Sequence, residues 1–190
     1  MLNDERIRHT LSSAIEGFDP NRVNPVSYDV ILHHMIQHER HPLMTRFLDV
    51  KYALHTPDYT LPELQSSPNR FRTVNLNDTA FYLRPGHFVL AATEEIFHLP
   101  NDIAANFLLK STTARLGYGH HLAGLADPGW CGSRLTLELF NPTRTPLLLR
   151  TGMKIGQMVF HKVETPLMSY AEVGHYNGDL GAQAAKTSLY

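Results

Sequence analysis

Short β-prone runs separated by turn residues dominate the chain from Thr79 onward, and they restrict the fold more than any other feature. "FYLRPGHFVLAAT", Phe81 to Thr93, is a strand, a Pro-Gly turn and a second strand. "PLLLRTGMKIGQMVF", Pro146 to Phe160, repeats that shape with Thr-Gly in the turn. Between them lie NFLLKS and RLTLELF, joined by a Gly-rich connector, ARLGYGHHLAGLADPGWCG. Such a succession of short strands predicts a mainly β barrel or sandwich. Upstream, Ile7, Leu11 and Ile15 recur every four residues, so residues 1–17 are expected to hold a short amphipathic helix, capped by Asn3 or Asp4 and ended by Gly17. "VNPVSYDVIL", Val23 to Leu32, has the composition of a strand. The stretch from His33 to Arg70 is less periodic, and excursions or an irregular hairpin are expected there. Residues 169–190 are rich in Gly, Ala and polar side chains with no strong apolar stripe, as in a disordered tail or a lid that orders over a ligand.

A chain of 190 residues has the size of a single domain, 1–190, able to bury a substantial core. Its net charge of −1, without blocks of like charge, argues against binding a nucleic-acid backbone. No apolar run is long enough to cross a bilayer, and MLNDERIRHT lacks the apolar core of a signal peptide, so a cytoplasmic location is expected. The one cysteine, Cys131, excludes an internal disulfide and Cys-x-x-Cys zinc sites. Among twelve histidines, the pairs His33-His34 and His120-His121 invite a metal reading. Adjacent strand residues point to opposite faces, however, so neither pair can chelate one ion unless the backbone bends.

Two polar groupings could carry chemistry. In RLTLELF, Leu135, Leu137 and Leu139 share one face while Arg134, Thr136, Glu138 and Phe140 share the other. That parity leaves Glu138 open between an ordinary solvent-facing strand residue and a carboxylate held in a pocket. In LKSTTARLG, Lys110 offers a cation, Ser111, Thr112 and Thr113 three consecutive hydroxyls, and Arg115 a guanidinium before a glycine turn. Together they suit an anion such as phosphate, or simply form a polar turn. The spacing is not that of a Walker loop.

"KSTTARLG", "ADPGW.G", "LTLELFN" and "LLLRTGMKIGQMVF", in this order, resemble the dCTP deaminase branch of the trimeric dUTPase-like family. The resemblance extends through "VNPVSYDVIL", "FYLRPGHFVLAATEEIFHLPNDI" and "GHYNGDLG", leaving out mainly the His33 to Arg70 region. It implies a distorted β-barrel or jelly-roll-like dUTPase fold, a homotrimer with active sites between subunits, and hydrolytic deamination of dCTP to dUTP and ammonia. It further implies no catalytic metal, with Mg2+ accompanying only the nucleotide phosphates. A zinc deaminase would need a His-x-Glu and a Pro-Cys-x-x-Cys, which one cysteine cannot supply.

By this resemblance Glu138 is the proton-carrying catalytic glutamate, Arg115 supports charge on the ring and Ser111 helps place the attacking water. A backbone carbonyl near Ala123 or Gly124 is the other water anchor. Asp127 binds the deoxyribose, Trp130 shapes the sugar pocket, and Thr136 and Leu137 contact the base through their backbone. Lys110, Thr112, Thr113, Ala114 and Gln157 face phosphates or base, and Tyr170 approaches from the lid. The family's lid lysine and glutamine correspond to His175 and Asp179, and an aspartate there repels a polyphosphate unless a cation intervenes. The readings that follow are a dCTP deaminase with a modified tail, in which magnesium could bridge Asp179 to phosphate; a deaminase preferring dCMP or dCDP; a deaminase that also hydrolyses the triphosphate; or a nucleotide-binding regulator.

Overall fold

The computed structural model describes residues 1–39, 71–78 and 80–186. Antiparallel pairing organises the described residues into two five-stranded sheets and two smaller ones. One large sheet runs in the order Gly119–His120, Thr136–Phe140, Phe88–Ala92, Met35–Glu39, Phe71–Asn75. The other runs Leu125–Ala126, Ile103–Leu109, Lys154–Lys162, Ser27–Ile31, Val23–Asn24. The mainly β, jelly-roll-like expectation therefore holds, without a closed barrel among the described residues.

The Pro-Gly and Thr-Gly turns do not close hairpins. Phe81–Leu83 pairs with Leu147–Leu149, whereas the strands that follow them, Phe88–Ala92 and Lys154–Lys162, belong to the two large sheets. Each turn is a corner at which the chain leaves one sheet for another. Gly86 and Gly152, with φ of 74° and 76°, supply the left-handed backbone these corners need. The second small sheet joins Ile15–Glu16, Ile96–His98 and Cys131–Ser133.

The N-terminal helix is shorter than its apolar period suggests. It spans Asp4–Leu11, with the Asn3 side chain accepting from the Arg6 amide at 3.1 Å, and Ile15 continues as a strand paired to Phe97. Tertiary pairing thus overrides the helical spacing of Ile15, while Ile7 and Leu11 are fully buried as that spacing requires. The core also contains Tyr28, Leu32, Phe97, Leu137, Leu139 and Phe160. Each such large side chain contributes roughly 1.5–3 kcal/mol on burial. Within this core Arg22 pairs with the buried Glu95, which also accepts from the Ile31 amide. Residues 40–70, most of the stretch for which an irregular hairpin is expected, lie outside the described residues, while Met35–Glu39 is a regular strand.

Burial pushes the imidazoles of His33 and His38 below the usual histidine value, helped by the charges of Arg134 and Arg72 respectively. Because the fold favours the neutral rings, their contribution is complete above the unfolded value of 6.5 and is lost as pH falls below it. Thermal unfolding measured between about pH 7.5 and 5 should accordingly show a falling midpoint on acidification. A midpoint that holds or rises over that range would contradict this.

Candidate active site

Glu138 lies mid-strand in Thr136–Phe140, whose alternating burial follows the parity of RLTLELF: Leu137 and Leu139 are completely buried, Glu138 is not. Its side chain is 24% exposed, which is neither a free surface group nor a sealed one. It opens into a cleft of about 510 Å³ lined also by Ala123, Asp127, Trp130, Thr136, Tyr170 and Asp179. The cleft wall is built by packing: Trp130 is buried and stacked on Phe97 at 5.7 Å, while its Nε1 donates to the Tyr176 carbonyl at 3.0 Å. Burial raises the Tyr170 hydroxyl above its usual value, so it stays protonated as a hydrogen-bonding group at neutral pH. Leu137 contributes its side chain to the core and does not line the cleft. Gly124 is buried against Phe107, whose amide donates to the Gly124 carbonyl at 2.8 Å, and a Cβ at Gly124 would meet the Phe107 Cβ at 2.8 Å.

Glu138 Oε2 is buried and faces His120 Nε2 at 3.3 Å. That distance suits an ion pair, but the atoms are not aligned as a hydrogen bond, and neither has such a partner elsewhere among the described residues.

The C-terminal segment supplies Tyr170, Tyr176, Asp179, Gln183 and Ala185 to the wall of this cleft. Its lack of an apolar stripe is offset by hydrogen bonds: the Cys131 amide donates to Asn177 Oδ1, Gly178 to the Cys131 carbonyl, Arg134 to the Asp179 carbonyl, and Gln183 to Thr136 Oγ1. A helical turn, Tyr170–Val173, is closed by a capping box between Ser169 and Glu172. Asp179 does reach the cleft, but Lys186 Nζ stands 3.0 Å from its carboxylate and over the Tyr176 ring. The Asp179 carboxylate is thus paired with a cation of the same C-terminal segment. His175 lies outside the cleft lining and offers its carbonyl to Lys186 at 2.5 Å.

Lys110 to Arg115 do not line the Glu138 cleft. Ser111–Arg115 form a short helix on which Ser111, Thr112, Ala114 and Arg115 are exposed. Lys110, Thr112 and Thr113 line a separate cleft of about 680 Å³ with Arg150 and Lys154. Lys110 is held by Asp29, a buried carboxylate that accepts from Lys110 Nζ at 2.5 Å and from Asn24 Nδ2 at 2.7 Å, with Lys154 at 3.5 Å. Burial pushes Asp29 upward, but these bonds and the two lysine charges outweigh it and hold the carboxyl below its usual value. Gln157 is in neither lining; its Oε1 accepts from Ser27 at 3.0 Å. Asp29 and Lys186 were not singled out from the sequence, and His120 was noted only with His121 as a metal pair. Only Asp29 carries a signal, a lone carboxylate inside a β-prone run, as Glu138 is.

The backbone does bend at His33-His34, where the two rings lie 4.1 Å apart and, with Glu94, present ligand atoms within 4.8 Å of one another. Adjacency therefore does not separate this pair, contrary to the strand rule. The Met35 amide donates to His33 Nδ1 at 3.2 Å, which places the ring proton on Nε2, and Arg134 stands 3.9 Å from Glu94.

Residues 1–163 match the model of the dCTP deaminase-like family. The chain belongs to that family. A dCTP deaminase, dUMP-forming, from Beutenbergia cavernae is 38% identical over 198 residues, covering 100% of this chain and 95% of that protein. A dCTP deaminase from Idiomarina loihiensis is 35% identical over 173 residues, covering 87% of this chain and 84% of that one. In fold, the chain is similar to the crystal structure of 2'-deoxycytidine 5'-triphosphate deaminase from Agrobacterium tumefaciens. The TM-score is 0.62 at 23% identity, over 85% of this chain and 47% of that one. Glu138, Asp127, Trp130 and Tyr170 thus share one cleft, and the basic, hydroxyl-rich turn of Lys110, Thr112 and Thr113 lines another.

Proposed function

We propose that this chain hydrolytically deaminates the cytosine of dCTP, and that the observation carrying this is Glu138 held half-buried in a cleft with Asp127, Trp130 and Tyr170. Glu138 takes a proton from a water as its oxygen adds to the ring carbon bearing the amino group. It passes that proton to the ring nitrogen, then takes the proton of the added hydroxyl and delivers it to the amine, which leaves as ammonia. The uracil nucleotide retains the water's oxygen. Asp127 and Trp130 receive the deoxyribose, and Mg2+ accompanies the phosphates. A homotrimer completes the site: because Ser111 and Arg115 stand away from the Glu138 cleft within one chain, a neighbouring subunit supplies them. A cytoplasmic enzyme of nucleotide metabolism fits this reading.

A second activity, hydrolysis of the triphosphate to release dUMP, is favoured by the name of the Beutenbergia cavernae relative and by Asp127 as a carboxylate within the same cleft. Separate incubations with dCMP, dCDP, dCTP and dUTP, resolved by chromatography, distinguish the possibilities. The expected result is consumption of dCTP in preference to dCMP and dCDP, with dUMP as final product if the second activity is present and dUTP if it is not. Preferential turnover of dCMP or dCDP would overturn the triphosphate assignment.

A further inference from the structure

We infer that His120 is a positioning residue for Glu138, fixing one carboxylate oxygen so that the other is presented to water. This rests on the proposed role of Glu138. His120 ends the edge strand Gly119–His120, next to the strand that carries Glu138, and its side chain is 2% exposed. Two contacts define its orientation. The ring packs edge-on against Phe107 of the opposite large sheet, with centroids 4.8 Å apart, and Nδ1 accepts the Leu122 amide at 3.2 Å.

The second contact decides the chemistry. A nitrogen that accepts a backbone N–H carries a lone pair, so the neutral imidazole bears its proton on Nε2, the atom 3.3 Å from Glu138 Oε2. Leu122, the amide donor, is the non-glycine residue with a left-handed backbone among the described residues, at φ 61°. The chain thus holds an unfavourable conformation at the point where it orients the ring.

Both facing atoms are buried, and each lacks an aligned hydrogen-bond partner among the described residues. Leaving a buried N–H and a buried carboxylate oxygen unpaired is costly, and a small rotation of the glutamate would satisfy both at once. The carboxylate oxygens are thereby divided: Oε2 is directed at the histidine, while Oε1 faces the cleft for proton exchange with water. His120 donates to whichever charge Glu138 holds and touches no substrate atom itself.

The test compares His120→Phe, which preserves the ring edge on Phe107 but removes the N–H, with His120→Gln, which keeps an N–H donor. Deamination of dCTP by His120→Phe should fall in kcat by roughly tenfold to a hundredfold, the range expected for a lost hydrogen bond to a charged group, with KM changed less than about twofold. His120→Gln should recover most of kcat. Added to Glu138→Gln, His120→Phe should cause no further loss, because it acts through that carboxylate. If Glu138→Gln is inactive and His120→Phe keeps the wild-type kcat, the inference fails while the role of Glu138 stands; full turnover by Glu138→Gln removes both. Should His120→Phe not fold, a His120→Gln kcat as low as that of Glu138→Gln would also overturn the inference.

Discussion

Replacing Glu138 by Gln should reduce deamination of dCTP by at least roughly a thousandfold while nucleotide binding and the fold persist. The amide preserves the size of the side chain and can still accept from His120, and the flanking Leu137 and Leu139 that hold the strand are untouched. What it loses is the ability to carry one proton from water to the ring and a second from the added hydroxyl to the amine. General acid–base groups contribute roughly a hundred- to ten-thousandfold, and Glu138 serves at more than one proton transfer, so the upper part of that range applies. Isothermal titration with dCTP should show a dissociation constant similar to that of the wild type. Deamination by Glu138→Gln within tenfold of wild type would sink the assignment.

The second large effect concerns how the site is divided. Arg115→Ala should also be inactive if, as proposed, Arg115 supports charge developing on the ring, and as an exposed residue on Ser111–Arg115 its removal should leave the subunit folded. Neither variant alone has an intact site. If each site takes Glu138 from one subunit and Arg115 from its neighbour, refolding equal amounts of Glu138→Gln and Arg115→Ala together should restore about one quarter of the wild-type activity, half of the sites having each intact residue independently. A mixture as inactive as its components would instead place both groups within one chain.

The strand parity of RLTLELF was legible because a period of two needs only neighbouring residues, and the burial of Leu137 and Leu139 follows it. Linked motifs carried the family and the mainly β architecture. Corners were less legible: Pro-Gly and Thr-Gly mark turns, but whether the chain closes a hairpin or crosses to another sheet depends on distant partners such as Leu147–Leu149 for Phe81–Leu83. The same holds for Ile15, helical by spacing yet paired to Phe97. In the tail, composition suggested weak docking because the groups that hold it are backbone amides and carbonyls, to which residue hydropathy is blind. Side-chain pairings across long sequence separations, Lys186 with Asp179 aside, were equally hidden: Asp29 meets Lys110, and Glu95 meets Arg22, only once the strands are in register.

The most direct measurement is ammonia release from dCTP by the purified chain with magnesium present, followed together with conversion of the cytosine absorbance to that of uracil. The account predicts one ammonia per cytosine converted, and loss of both signals in Glu138→Gln. Intact dCTP after prolonged incubation, with the nucleotide nevertheless bound, would contradict it and leave a binding protein in its place.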